Sequence, residues 1–85
     1  MITVELNENG DPAITWEAVE GAKKYKVYRA TSETGKYKEV KSTSGLSYTD
    51  TKATAGKTYY YKVKVYPSSS SYAGVYSLIL SITAQ

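Results

Sequence analysis

The chain has 85 residues, enough for one small domain. It contains no Cys and no His, which excludes a disulfide framework, a thiolate zinc site and the commonest general base. Its formal net charge of +3 is the sum of two unequal segments, because residues 1–22 carry a net −5 and residues 23–85 a net +8. The domain is therefore predicted to be acidic on one side and basic on the other.

Six glycines, each in a polar cluster, divide the chain into segments rich in Tyr, Val, Ile and Thr. Such segments are typical of β-strands, and polar clusters with Gly are typical of the turns that join them. No segment has the periodicity of a helix. Seven strands are predicted near residues 2–7, 13–17, 24–30, 36–42, 46–50, 58–66 and 75–84.

Two of these strands indicate which side chains face the core. The segment TYYYKVKVY at 58–66 alternates with period 2, whereas a helix would scatter both sets of residues around its surface. The inward set on the third and sixth strands is Tyr25, Val27, Tyr59, Tyr61, Val63 and Val65, and Tyr37 and Tyr48 are expected to join it. The outward set is Lys26, Tyr28, Tyr60, Lys62, Lys64 and Tyr66.

Seven short antiparallel strands in a chain of this length predict an all-β fold, a two-sheet sandwich with Greek-key connections. Residues 1–85 form a single domain in this interpretation, with no linker. The low-complexity stretch 68–71, four serines, is predicted to be a flexible loop. No apolar run is long enough for a membrane span, so no membrane insertion is expected.

Three stretches, AITWEAVEGAKKYKVYRATSETGKYKEV, SYTDTKATAGKTYYYKVKVY and VYSLILSITA, resemble a fibronectin type III domain of the kind found in bacterial secreted and cell-surface proteins. The resemblance covers about residues 3–84. It depends on Trp16, on the Tyr-x-Val of Tyr25 and Val27, on Tyr-Thr-Asp at 48–50, and on Gly-x-x-Tyr-x-Tyr-x-Val at 56–63.

The resemblance implies a seven-stranded immunoglobulin-like sandwich with Trp16 as the central aromatic residue of the core. It also implies that the Tyr59 hydroxyl bonds the backbone near Ala53. The chain departs from the family at Ala53 and Ala55, where Leu and Pro are usual. It has no Arg-Gly-Asp, so the integrin binding known for some members is not expected.

The sequence offers no arrangement of residues suited to catalysis. Glu17 and Glu20 flank a loop without any sign of a cleft, and Asp50 is interpreted as a residue that orders a turn. The oxygen-rich segment 7–11 allows a weak calcium site as an alternative, but its spacing matches no EF-hand loop. We therefore predict a chain that is not an enzyme, with no catalytic residues, no metal and no cofactor.

Two surfaces are candidates for binding. In the fold that the resemblance implies, outward Tyr and Lys side chains of the third and sixth strands are neighbours, which suits an anionic or sugar ligand. Cross-strand packing of a solvated face explains the same pattern without a ligand. The loop 67–76 combines Tyr with Ser, the residues favoured in binding loops, and a flexible polar hairpin is its alternative. The candidate residues are Tyr28, Tyr60, Lys62, Lys64, Tyr66, Tyr72 and Tyr76.

Two functions remain open at this point. The first is a non-catalytic module of a larger bacterial extracellular or cell-surface protein, acting as a spacer or as a protein or carbohydrate interaction unit beside neighbouring domains. The second is a ligand-binding module for an acidic glycan or protein partner, with an engineered binder scaffold as a variant of it. In both cases we expect a monomer. With a single Arg and no RNA-binding signature, nucleic acid is not an expected partner.

Overall fold

A computed structural model describes residues 2–67, 75–76 and 80–85, and describes residues 67, 75 and 76 by their backbone only. These residues form β-strands and no helix. The strands are β1 (Ile2–Leu6), β2 (Pro12–Trp16), β3 (Ala22–Ala30), β4 (Lys38–Thr43), β5 (Ser47–Thr49), β6 (Thr58–Pro67), β7 (Val75–Tyr76) and β8 (Leu80–Thr83).

The strands form two antiparallel sheets, which confirms the predicted sandwich. The smaller sheet has the order β1-β2-β5. In the larger sheet the order is β4-β3-β6-β7, and β8 also pairs with β6. The pairing of β3 with β4 contains an irregularity between Val27 and Tyr28, a local shift that increases twist at this edge.

Two described parts of the predicted last strand, 75–84, are β7 and β8, and both pair with β6. Val75 pairs with Val65, and Leu80 pairs with Tyr61. Between these pairs β6 advances by four residues and the last segment of chain by five. The register of the second pairing is therefore offset by one residue from that of the first.

The hydrophobic core lies between the two sheets. Its side chains come from alternate positions of the strands, because every second residue of a strand points to the same face. Six of the residues expected in the core are buried there, namely Trp16, Tyr25, Val27, Tyr59, Tyr61 and Val63, and Val65 packs against them while remaining partly exposed. The rings of Trp16 and Tyr25 pack in a tilted arrangement with their centroids 5.7 Å apart. The Tyr25 hydroxyl accepts a hydrogen bond from the N–H of Val19, so its polar group is paired without disturbing the core.

Candidate functional site

The outer surface of the larger sheet carries the candidate site. We call it the lysine–tyrosine face, and it consists of Lys24, Lys26, Tyr28, Tyr37, Glu39, Tyr60, Lys62, Lys64 and Tyr66. The register of β3 and β6 places Lys24 opposite Tyr66, Lys26 opposite Lys64, and Tyr28 opposite Lys62. These pairs form successive rows about 7 Å apart, because outward residues recur at every second position. Sequence alternation therefore identified most of this surface.

Tyr66 is surrounded by ammonium groups. The Nζ atoms of Lys26 and Lys64 both lie 5.1 Å from its ring centroid, and that of Lys24 lies 5.3 Å from it. Ammonium groups within about 6 Å of an aromatic centroid are attracted by the negative face of the ring. The ring thus gathers three like charges in a small region, and their combined field is strongly positive.

The hydroxyls of Tyr28 and Tyr66 meet on this face, with their oxygens 3.5 Å apart. This hydrogen bond lowers the pKa of Tyr66, and the nearby Lys64 and Lys26 ammonium groups lower it further, although burial acts in the opposite direction. The lowered pKa reflects an environment that favours negative charge on an oxygen atom. The ammonium groups of Lys26 and Lys64 beside the two hydroxyls attract negative charge.

Glu39 is the single carboxylate of the face. Its Oε1 lies 3.0 Å from the Nζ of Lys26, and the resulting hydrogen bond raises the pKa of Lys26. Four lysines and one glutamate leave the face with a positive balance. The predicted charge asymmetry has a corresponding geometry, because the acidic residues of segment 1–22 lie on the smaller sheet and on the loops next to β2.

Tyr37 belongs to the lysine–tyrosine face, and its expected place in the core was wrong. The residue is half-buried, and its hydroxyl donates to the carbonyl oxygen of Glu33 at 2.9 Å. The Nζ of Lys62 lies 4.3 Å from its ring centroid. Tyr37 precedes β4 rather than lying within it, so strand alternation does not determine where its side chain points. Tyr48, by contrast, packs against the core.

The second candidate surface lies largely beyond the described residues. Tyr72 falls outside them, as does the serine stretch 68–71. Tyr76 is described by its backbone, which pairs with Lys64 of the lysine–tyrosine face. Tyr60 lies on β6 opposite Ala30 and is half-buried.

A buried charged network was missed by the sequence interpretation. Asp50 has no solvent exposure. Its Oδ2 accepts hydrogen bonds from Nη1 of Arg29 at 2.8 Å and from the Tyr61 hydroxyl at 2.6 Å, and its Oδ1 accepts from the N–H of Lys52 at 3.2 Å. Asp50 follows β5 of the smaller sheet, whereas Arg29 and Tyr61 lie on the larger one. The carboxylate therefore ties the two sheets together.

Burial raises the pKa of Tyr61 far above its ordinary value of about 10, and the hydrogen bond to Asp50 and its negative charge act in the same direction. Burial lowers the pKa of Arg29, but the hydrogen bond and charge of Asp50 outweigh that effect and raise it. The network thus keeps Tyr61 protonated and Arg29 charged.

The raised pKa of Tyr61 should make the free energy of unfolding fall at alkaline pH. A folded-state pKa above the unfolded one gives stability that is complete below about pH 10 and is lost as the pH rises further. Urea unfolding of the wild type and of Tyr61→Phe, from about pH 8 to about pH 11, should show their difference in free energy shrinking as the pH rises. A difference that stays constant or grows over this range would contradict the assignment.

Tyr59 makes the tyrosine contact that the sequence suggested. Its hydroxyl accepts a hydrogen bond from the N–H of Thr54 at 2.8 Å, one residue beyond Ala53. Hydrogen bonding to the Thr54 side chain and to this N–H lowers the pKa of Tyr59. The guanidinium carbon of Arg29 lies 5.1 Å from the Tyr59 ring centroid, so the corner contacts the Asp50 network.

Removing the Tyr59 hydroxyl should cost about 1 kcal/mol of folding free energy, the usual net value of one hydrogen bond. Thr54 is exposed, so water can replace the lost partner and a larger effect is not expected. Tyr60→Phe is the matched control, because it removes a hydroxyl from the neighbouring, half-buried position. Equal urea midpoints for Tyr59→Phe and the wild type would argue against a stabilising role.

The described residues show no constellation for metal binding, since no group of three or more His, Cys, Asp or Glu side chains converges among them. No helix of suitable length and hydropathy for crossing a membrane occurs in the described ranges. What the lysine–tyrosine face can do chemically is attract and hold negative charge.

A comparison with protein-family models gives no match, and a search of the curated proteins also finds none. Solved structures do match. The chain is similar to an Fn3-like protein from Clostridium thermocellum with 30% identity and a TM-score of 0.74, over 93% of this chain and 79% of that one.

A second solved structure is the sixth fibronectin type III domain of human fibronectin type III domain containing protein 3. It has 20% identity and a TM-score of 0.80, and the match covers 98% of this chain and 79% of that one. This likeness supports the fold. Together with the sheet order, the buried Trp16 and Tyr59, and the bacterial relative at 30% identity, it leads to one conclusion. The chain belongs to the fibronectin type III family.

Proposed function

We propose that the chain is a non-catalytic module of a larger bacterial extracellular or cell-surface protein, where it acts as a spacer and interaction unit. The observation that carries this proposal is the match to the Fn3-like protein of Clostridium thermocellum over nearly the whole chain. The absence of His and Cys supports the non-catalytic role, because it removes the side chains most used as general bases and thiol nucleophiles.

The geometry of the two chain ends suits a spacer. Ile2 pairs with Trp16 at one end of the β1–β2 hairpin, and Leu6 pairs with Pro12 at the other. Gln85 donates from its N–H to the carbonyl oxygen of Gly10, beyond the Leu6 end. The chain therefore enters and leaves at opposite ends of β1, which spans about 13 Å. Modules connected in this way extend in line.

The test is the size and location of the native protein. An antibody raised against the domain should detect, in the culture medium or the envelope fraction of the source organism, a band larger than 9.4 kDa. A cytosolic marker protein controls for lysis. Detection of a 9.4 kDa species alone, or of the signal only in the cytosol, would contradict the proposal.

A second function is favoured by the charge of the lysine–tyrosine face, namely the binding of an acidic glycan or protein partner. Chemical-shift titration should then move the amide signals of Tyr28, Tyr60 and Lys62, while those of the smaller sheet stay in place. An absence of shifts on this face with both an acidic polysaccharide and an acidic peptide would remove this function.

A further inference from the structure

The Tyr28 and Tyr66 hydroxyls lie at the centre of the lysine–tyrosine face. In the register of the two strands, their rows flank the row of Lys26 and Lys64. The two oxygens are 3.5 Å apart, at the long limit of a hydrogen bond. Each phenol has one proton to donate. One of these protons forms the long Tyr28–Tyr66 hydrogen bond, and a charged acceptor that replaces this bond can receive both.

An oxyanion is the group that fits these donors. Sulfate and carboxylate groups offer several acceptor oxygens, and hydrogen bonds to a charged acceptor are shorter and stronger than neutral ones. The ammonium groups of Lys24, Lys26 and Lys64 are already gathered around the Tyr66 ring, the most distant of them 5.3 Å from its centroid. Because these ammonium groups are already close together, binding of an anion requires less ordering of the site.

We propose that the Tyr28–Tyr66 hydroxyl pair, with Lys26 and Lys64 beside it, binds one oxyanion group of an acidic polysaccharide. Lys24 and Lys62, in the neighbouring rows, bind further charged groups along the same polymer. The inference rests on the proposed binding function of the face and adds to it the position of the subsite and the class of ligand.

The composition of the face favours a polysaccharide over other polyanions. The single Arg of the chain, Arg29, is bonded to Asp50 and does not supply the bidentate contacts typical of phosphate recognition. The Tyr66 ring lies under ammonium groups, so it offers charge rather than an open surface for base stacking. Among the described residues, the large apolar side chains exposed to solvent are Val19 and Leu46, outside this sheet. The cores of protein interfaces are depleted in Lys, of which this face holds four.

The decisive variant removes the two hydroxyls and leaves every charge in place. Tyr28→Phe/Tyr66→Phe should weaken binding of dextran sulfate or of polygalacturonate by at least about tenfold, which is the loss expected for even one hydrogen bond to a charged group. The salt dependence of binding should not change, because no ionic contact is removed. Isothermal titration at several salt concentrations measures both quantities, and thermal unfolding checks that the variant is folded.

A charge-matched pair of variants locates the lysine contribution. Lys26→Gln/Lys64→Gln should weaken binding by at least about tenfold and reduce its salt dependence. Lys52→Gln/Lys57→Gln removes the same charge from the exposed loop between β5 and β6 and should retain wild-type affinity. Equal losses in the two pairs would show a general attraction to polyanions and would overturn the subsite.

The ligand probes distinguish the source of the oxyanion. Binding of dextran sulfate supports a sulfate ester, binding of polygalacturonate supports a carboxylate, and neutral dextran should not bind. Equal or tighter binding of a DNA oligonucleotide would overturn the assignment to a polysaccharide. If the shifts on the face occur but the Tyr28→Phe/Tyr66→Phe variant binds like the wild type, the hydroxyl subsite is wrong and the binding function still holds.

Discussion

Replacing Asp50 with Ala is expected to lower the free energy of unfolding by about 3 kcal/mol, the largest effect of any polar substitution considered for this chain. The change leaves the Tyr61 hydroxyl buried without an acceptor and Arg29 without its counter-charge. Tyr61 has no solvent exposure, so water cannot replace the lost partner. Arg29 keeps 28% of its side chain exposed, which moderates its share of the cost. Urea denaturation gives the value directly.

Asp11→Ala is the matched control for this prediction. It removes the same charge from a partly exposed turn, where the residue's N–H donates to the side chain of Asn7, and should cost no more than about 1 kcal/mol. The double variant Asp50→Ala/Arg29→Met should regain part of the loss, because it no longer leaves a cation unpaired. If Asp50→Ala proves as mild as Asp11→Ala, the network does not hold the sheets together.

Replacing Gly10 with Ala should lower the free energy of unfolding by about 3 kcal/mol, because two costs add. The backbone of Gly10 has a φ of 81°, a conformation that L-residues adopt only with strain. A Cβ at this position would also overlap the carbonyl oxygen of Gln85. The clash would displace the end of the chain that pairs with the β1–β2 turn, and denaturant midpoints would record the loss.

Two other glycines allow the cost of the backbone strain to be measured apart from the cost of the steric overlap. Gly21 and Gly56 have nearly the same φ, 83° and 86°, and a Cβ at either would meet nothing within 4 Å. Their Ala variants should therefore cost only the backbone strain, about 1 kcal/mol. Deleting Gln85 should reduce the cost of Gly10→Ala toward this level. If the cost of Gly10→Ala equals that of Gly21→Ala in the complete chain, the contact with Gln85 has no energetic weight.

Alternation predicted the buried residues of β3 and β6 well, because the period of a strand is a local property of the backbone. Tyr25 and Val27 on one strand, and Tyr59, Tyr61 and Val63 on the other, lie in the core for this reason. The same reasoning identified most of the lysine–tyrosine face. It did not place Tyr37, whose position depends on a loop.

A local sequence pattern does not predict that Asp50 is buried. Its partners lie 21 and 11 residues away in the sequence, and an Asp after a strand usually orders a turn. One signal was nevertheless present. Arg29 follows Tyr25 and Val27 at the same alternation, so it was an inward-facing cation that required an acidic partner. The one-residue offset between the pairings of β7 and β8 had no comparable signal, because pairing register is set by contacts between strands.

Several edge strands of the two sheets carry features that oppose aggregation between neighbouring copies of the domain. An open strand edge is a template on which another copy can add a strand, which leads to aggregation. Here β5 is only three residues long, and β4 begins with Lys38 and Glu39 and departs from regular pairing beside Val27. β1 presents the exposed Glu5. Short length, charge and irregularity oppose cross-pairing at β1, β4 and β5, so these three edges favour separate folding of neighbouring copies of the domain.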